Sequence, residues 1–177
     1  LYGKDLYGEK CLHRLVEELC KIAGIRWIRI LYCYPEEITD ELIEVIKKEP
    51  KVCHYLDLPI QHASDSILKR MGRRTSKQEL TDIVKKLRKE IPDICLRTTL
   101  ITGFPGETED QHEELMQFVD EMEFDRLGVF TYSPEEDTLA ATFEDQIDEE
   151  VKEERRDELM SLQQEISYEH TQQLVGK

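Results

Sequence analysis

The sequence predicts an α/β protein built on a parallel sheet, more specifically part of a (β/α) barrel. Two observations carry this. Helical and strand patterns alternate along all 177 residues without a low-complexity linker, the pattern of right-handed βαβ units. The four strand-like runs, near 27–34, 53–60, 94–101 and 126–132, also carry polar residues on one face. Arg29, Asp57, Gln61, Arg97 and Thr99 fall at alternate positions, although strands covered on both sides ought to be apolar throughout. An open doubly wound sheet explains the alternation equally well, but a barrel also explains the polar face, which becomes its lumen.

The elements follow in order. Residues 9–23 place Cys11, Leu12, Leu15, Leu19, Ile22 and Ala23 at helical spacing, with Gly24 as the stop. WIRILYCY is the first strand. Thr39 caps the next helix, with Ile38 before the cap and Ile43 after it placed as a hydrophobic staple. CHYLDLPI is the second strand, after which Ser64 is expected to cap a short helix that Gly72 ends. Thr75 with Gln78, or Ser76 with Glu79, forms a capping box for the following helix. ICLRTTLI is the third strand, and Thr108 with Gln111 repeats the box before a helix leading to RLGVFTY. A charged helix near 148–173 closes the chain.

Composition bounds the function. With 39% apolar and 36% charged residues, the chain suits one sizeable core. No apolar run is long enough to cross a membrane and the first ten residues do not resemble a signal peptide, so the expected location is cytoplasmic. The five cysteines lack C-x-x-C spacing, and their odd number argues against a complete disulfide framework. They read as reduced, and no metal site is expected from this chain alone. A net charge of −15 repels a phosphate backbone and favours a basic protein partner over nucleic acid. Any single acidic run also reads simply as a solvated helix face.

Parallel α/β folds place their sites outside the carboxyl ends of the strands. Here those ends are YCYPEE, PIQHASD, ITGFPGET and TYSPEED. The third is not a phosphate loop, since it lacks the Walker pattern and puts Glu107 where a cation is useful. GFPGE instead offers flat backbone to an aromatic ring, or serves as a plain connector. His62 is a candidate acid or base, although a lone histidine is more often structural. No Ser/His/Asp set or nucleophile elbow is present, and no catalytic residue is assigned. In the lumen, Asp57 can pair with Arg29 or Arg97, as a register-fixing salt bridge or as part of a pocket.

Four stretches in order, LYCYPEEITDELIEVI, YLDLPIQHASDSILKRMGR, LRTTLITGFPGETEDQHEEL and FDRLGVFTYSPEED, resemble the radical SAM methylthiotransferases over almost the whole chain. FDRLGVFTYSPEE is most similar to the branch that methylthiolates an aspartate of a small-subunit ribosomal protein. The tRNA-adenosine branch tends to carry a basic residue and proline where this chain has Glu135 and Glu136. The resemblance implies a radical SAM barrel with S-adenosylmethionine at its open end, chelated to a 4Fe-4S cluster that cleaves it to a 5′-deoxyadenosyl radical. It assigns Gln61, Ser64, Arg97, Thr99 and the turn of Gly103, Phe104, Pro105 and Glu107 to the cofactor pocket. It also sets Phe130 and Tyr132 beside the adenosine. The partner it implies is a basic small-subunit ribosomal protein, with an electron donor that the sequence does not identify.

Two departures accompany the resemblance. Asp137 and Leu139 stand where the family usually has glycine and proline. The cluster motif C-x-x-x-C-x-x-C, the three cysteines for a second cluster in an N-terminal domain, and a C-terminal TRAM domain are not in this sequence. The expectation is a barrel fragment, truncated on its N-terminal side, that supplies much of the cofactor pocket, holds neither of the two clusters and is inactive alone. A tRNA-modifying relative and a non-catalytic barrel scaffold remain the alternatives.

Overall fold

The computed structural model describes residues 2–176. Four parallel strands, β1 (Ile28–Ile30), β2 (Val52–Gln61), β3 (Cys95–Thr102) and β4 (Arg126–Thr131), form one sheet in the order β1-β2-β3-β4. Sequential neighbours joined by helices make this the expected α/β arrangement. The helices are α1 (Lys4–Tyr7), α2 (Leu12–Cys20), α3 (Asp40–Lys48), α4 (Asp65–Arg70), α5 (Lys77–Glu90), α6 (Glu109–Met122) and α7 (Glu149–Gln172).

Strict alternation along β3 divides the sheet. Leu96, Thr98, Leu100 and Thr102 are buried, whereas Cys95, Arg97, Thr99 and Ile101 are only half-buried. On the buried face, Leu56, Leu58, Leu100 and Val129 join Ile46, Leu80, Leu87, Phe118 and Leu159 from the helices in one core. Each fully buried leucine or isoleucine there contributes roughly 1.5–3 kcal/mol. Thr98 is tolerated at 0% exposure because its hydroxyl donates to the Leu58 carbonyl at 2.8 Å.

The caps select among the sequence alternatives. Ser76, not Thr75, caps α5 with Glu79 in a reciprocal box, and Thr108 does the same with Gln111 for α6. Thr39 accepts from the Leu42 amide, and Ile38 and Ile43 both join the core. Ser64 precedes α4 but makes no side-chain cap; its hydroxyl meets that of Ser66 at 3.2 Å instead.

Two expected elements are shorter than their patterns. The first strand is confined to Ile28–Ile30, with Trp27 83% exposed. Tyr32 at φ 56° breaks the ladder, which resumes where the Cys33 amide donates to the Asp57 carbonyl at 2.8 Å. A side chain in the left-handed region cannot continue a strand. The helix expected over residues 9–23 is α2, which ends at Cys20 rather than at Gly24: Val16 and Cys20 are its buried positions, Cys11 is buried at its N-cap, and Ile22 is exposed. The expected closing helix is α7, but it is amphipathic in an unusual way: Lys152, Arg155 and Gln163 are buried beside Leu159 and Ile166.

Candidate functional site

The half-buried sheet face carries the polar residues in two layers. In the lower layer, cross-strand register aligns Asp57, Arg97 and Arg126. The Arg97 guanidinium donates to Asp57 at 2.9 Å, and Arg29 instead lies over the Tyr55 ring at 5.0 Å. Asp57 thus takes Arg97 of its two possible partners. With the Arg97 side chain 40% exposed, the pair contributes at most about 1 kcal/mol to stability. Thr99 faces Gly128 one step higher, and Ile101 faces Phe130 in the upper layer.

Above that layer, at the carboxyl ends of β2, β3 and β4, lies a cleft of about 570 Å³ whose wall includes Gln61, Ile101, Phe104, Phe130, Tyr132 and Leu139. Phe130 is 62% exposed, an aromatic face offered from the sheet. Gln61 stands at φ 76°, where the register with β3 slips. Such strain in a non-glycine residue persists only when its surroundings enforce it, and it concentrates at ligand sites. Tyr132 is buried, edge-on to Phe104 at 5.2 Å, and its hydroxyl has no hydrogen-bond partner among the described residues. An orphaned buried hydroxyl in a cleft wall suits a polar ligand edge.

The Gly103–Glu107 turn is placed differently from the sequence expectation of open backbone. Gly103 and Gly106 have φ 68° and 83°. A Cβ on Gly103 would collide with the Lys152 side chain, and one on Gly106 with Asp145 and Arg70. The chain itself occupies the surface that was expected to meet an aromatic ring. The glycines are required by the approach of α7 and of the segment before it.

Glu107 does not reach the cleft wall. It is 2% exposed, accepting from the Gly103 amide at 2.9 Å and from Arg155 at 2.9 Å, with His62 at 3.4 Å. Burial pushes its carboxyl up, but His62, Arg155 and the Gly103 amide more than offset this and hold it below the usual carboxylate range. Ser64 and Pro105 are likewise buried behind the cleft. The structure therefore brings Gln61, Phe104, Phe130 and Tyr132 together on the wall, leaves Arg97 and Thr99 beneath it on the same face, and sets Ser64, Gly103, Pro105 and Glu107 behind it.

Sequence patterns missed the rim. Arg70, Met71, Arg73 and Ala140 also line the cleft. Arg70 is held by Asp145 at 2.7 Å and by the Phe143 ring at 4.8 Å, partners some 75 residues away in sequence that no local spacing announces. Among the described residues, no three His, Cys, Asp or Glu side chains gather as metal ligands, and no helix is long and apolar enough to cross a membrane.

The family model described as the Radical SAM superfamily matches residues 6–119. The chain belongs to the radical SAM superfamily. Solved structures share its fold: coproporphyrinogen III oxidase (HemN) from Escherichia coli, described as a radical SAM enzyme, superposes with a TM-score of 0.67 at 20% identity, over 86% of this chain and 36% of that one. Elp3 of the archaeon Methanocaldococcus infernus does so with a TM-score of 0.58 at 16% identity, over 77% of this chain and 32% of its own. Much nearer in sequence are proteins named ribosomal protein uS12 methylthiotransferase RimO. That of Lachnoclostridium phytofermentans is 64% identical over 177 residues, that of Clostridium botulinum strain Langeland 59% over 177, and that of Desulfitobacterium hafniense 56% over 176. The radical SAM chain described here spans 40% of the length of each of these relatives.

Proposed function

We propose that the chain is the central to late part of the radical SAM barrel of a cytoplasmic methylthiotransferase, whose substrate is an aspartate of the basic small-subunit ribosomal protein uS12. The observation that carries the reading is 64% identity, across every residue of this chain, to a protein named for that activity. The net charge of −15 agrees, since it favours a basic protein over a phosphate backbone.

The cleft residues suit the adenosyl part of S-adenosylmethionine. Phe130 and Ile101 give an apolar face for the purine, while Gln61 and the unpartnered Tyr132 hydroxyl can read polar edges. Arg97 and Thr99, lower on the same face, would set the floor, with Asp57 fixing the Arg97 guanidinium. S-adenosylmethionine on a 4Fe-4S cluster supplies one-electron cleavage chemistry able to activate an unreactive carbon. This chain's residues would orient the adenosyl group and keep the wall dry, and cysteines elsewhere in the full-length protein would hold that cluster and a second one.

The test is reconstitution of the full-length enzyme with S-adenosylmethionine, a reductant and a sulfur source, offering uS12 and tRNA separately. The reading expects a methylthio mass increment on an aspartate of uS12. Modification of tRNA adenosine instead, or of neither substrate by an enzyme with intact clusters, contradicts it.

A further inference from the structure

We propose that Glu107 is a positioning residue for the cleft: held by Arg155 from α7, it fixes His62 and thereby the strained Gln61 on the wall. The inference rests on the reading of that cleft as an adenosyl site. Its starting point is a convergence of donors on one buried carboxylate. Arg155 donates to Oε1 at 2.9 Å and to the Glu107 carbonyl at 3.1 Å, and the Gly103 amide donates to Oε2 at 2.9 Å.

The histidine completes the set, and its tautomer follows from its neighbours. The Ser64 amide donates to His62 Nδ1 at 2.9 Å, so Nδ1 is unprotonated and the ring proton sits on Nε2. That nitrogen faces Glu107 Oε2 at 3.4 Å, and His62 has 0% exposure. Nδ1 is thus committed to the Ser64 amide, while Nε2 makes no aligned hydrogen bond and has the Glu107 carboxylate as its facing group, which makes His62 a strut between the ends of β2 and β3. Its immediate neighbour is Gln61, at φ 76° on the cleft wall. A residue in that conformation needs the next residue pinned, and Glu107 provides the pin.

An amide cannot replace this carboxylate. In Glu107→Gln the single oxygen can serve Arg155, or Gly103 and His62, and the NH2 group then faces a donor on the other side. Removing the guanidinium as well, in Glu107→Gln with Arg155→Met, frees the oxygen for Gly103 and His62. The two substitutions should therefore rescue each other. Arg155→Met alone leaves a buried unpaired carboxylate and should be as damaging as Glu107→Gln alone.

The experiment measures S-adenosylhomocysteine binding to the cluster-loaded full-length enzyme by calorimetry, alongside 15N shifts of the His62 ring. Each single variant is expected to bind about ten-fold more weakly, with the double variant within about three-fold of the parent. The double variant should also keep the Nε2-protonated pattern. A double variant that binds no better than the singles, or a Glu107→Gln that binds like the parent, overturns the inference. If the parent itself binds no S-adenosylhomocysteine, the cleft reading falls instead. The His62 shifts still decide the network in that case, because a Glu107→Gln ring spectrum identical to the parent's removes Glu107 as the pin.

Discussion

Replacing Gly103 by alanine separates two costs that a glycine substitution usually mixes. At φ 68° the new Cβ meets a left-handed backbone, which costs about 1–2 kcal/mol in a non-glycine residue. It would also lie 3.0 Å from Lys152 Cβ and Cδ and closer still to Cγ, so the stem of a buried lysine must move. Overpacking of this kind costs about 1–3 kcal/mol. The shift also strains the lysine's bonds to the Tyr132 carbonyl and Glu149, both at 3.0 Å. The total for Gly103→Ala is therefore about 2–5 kcal/mol. Gly72 is the control, because it has nearly the same φ, 72°, and open space where a Cβ would stand. Gly72→Ala should cost only the backbone share, about 1–2 kcal/mol. Urea denaturation with linear extrapolation measures both. Equal costs at the two glycines would refute the claim that α7 packs directly on the Gly103 turn.

Other consequences follow from single residues. Burial pushes the Cys33 thiol up to about 11, so its contribution to stability is complete below the ordinary thiol value and lost as pH rises toward 11. Cys33→Ala should flatten that alkaline limb in pH-dependent denaturation, by on the order of 2 kcal/mol. Phe118 has no exposed surface and lies 6.2 Å from the Phe124 ring, so Phe118→Ala should cost about 3–5 kcal/mol in the same assay. Ser76→Ala breaks a reciprocal box and should cost about 1 kcal/mol, read as a lowered thermal midpoint.

The fold was legible because its elements announce themselves locally. Capping pairs such as Ser76 with Glu79 and Thr108 with Gln111 sit three residues apart, and the period-two alternation of Arg97 and Thr99 against Leu96, Thr98 and Leu100 marks the two faces of β3. Phe130, which the resemblance set beside the adenosine together with Tyr132, lies on the open face, whereas Tyr132 is buried. What local pattern did not announce was the role of α7. Its Lys152 and Arg155 read as part of a charged surface, yet they are buried against the Gly103–Glu107 turn from 48 residues away. That long-range approach turns Glu107 from an apparent ligand contact into a structural anchor and covers the glycine backbone. The first strand is shorter than its pattern for a different reason, since one left-handed residue, Tyr32, interrupts a run that otherwise reads as strand.

The central claim is that the open end of the sheet face, and not its lower layer, meets the adenosyl group. The most direct measurement compares the S-adenosylhomocysteine dissociation constants of the full-length enzyme carrying Phe130→Ala or Arg126→Ala, two substitutions at opposite ends of β4 on one face. Loss of a base-stacking aromatic should weaken binding by about ten-fold or more, from the 1–3 kcal/mol such contacts carry. Arg126→Ala should leave it unchanged. Equal effects from the two, or a Phe130→Ala enzyme that binds like its parent, would contradict the account.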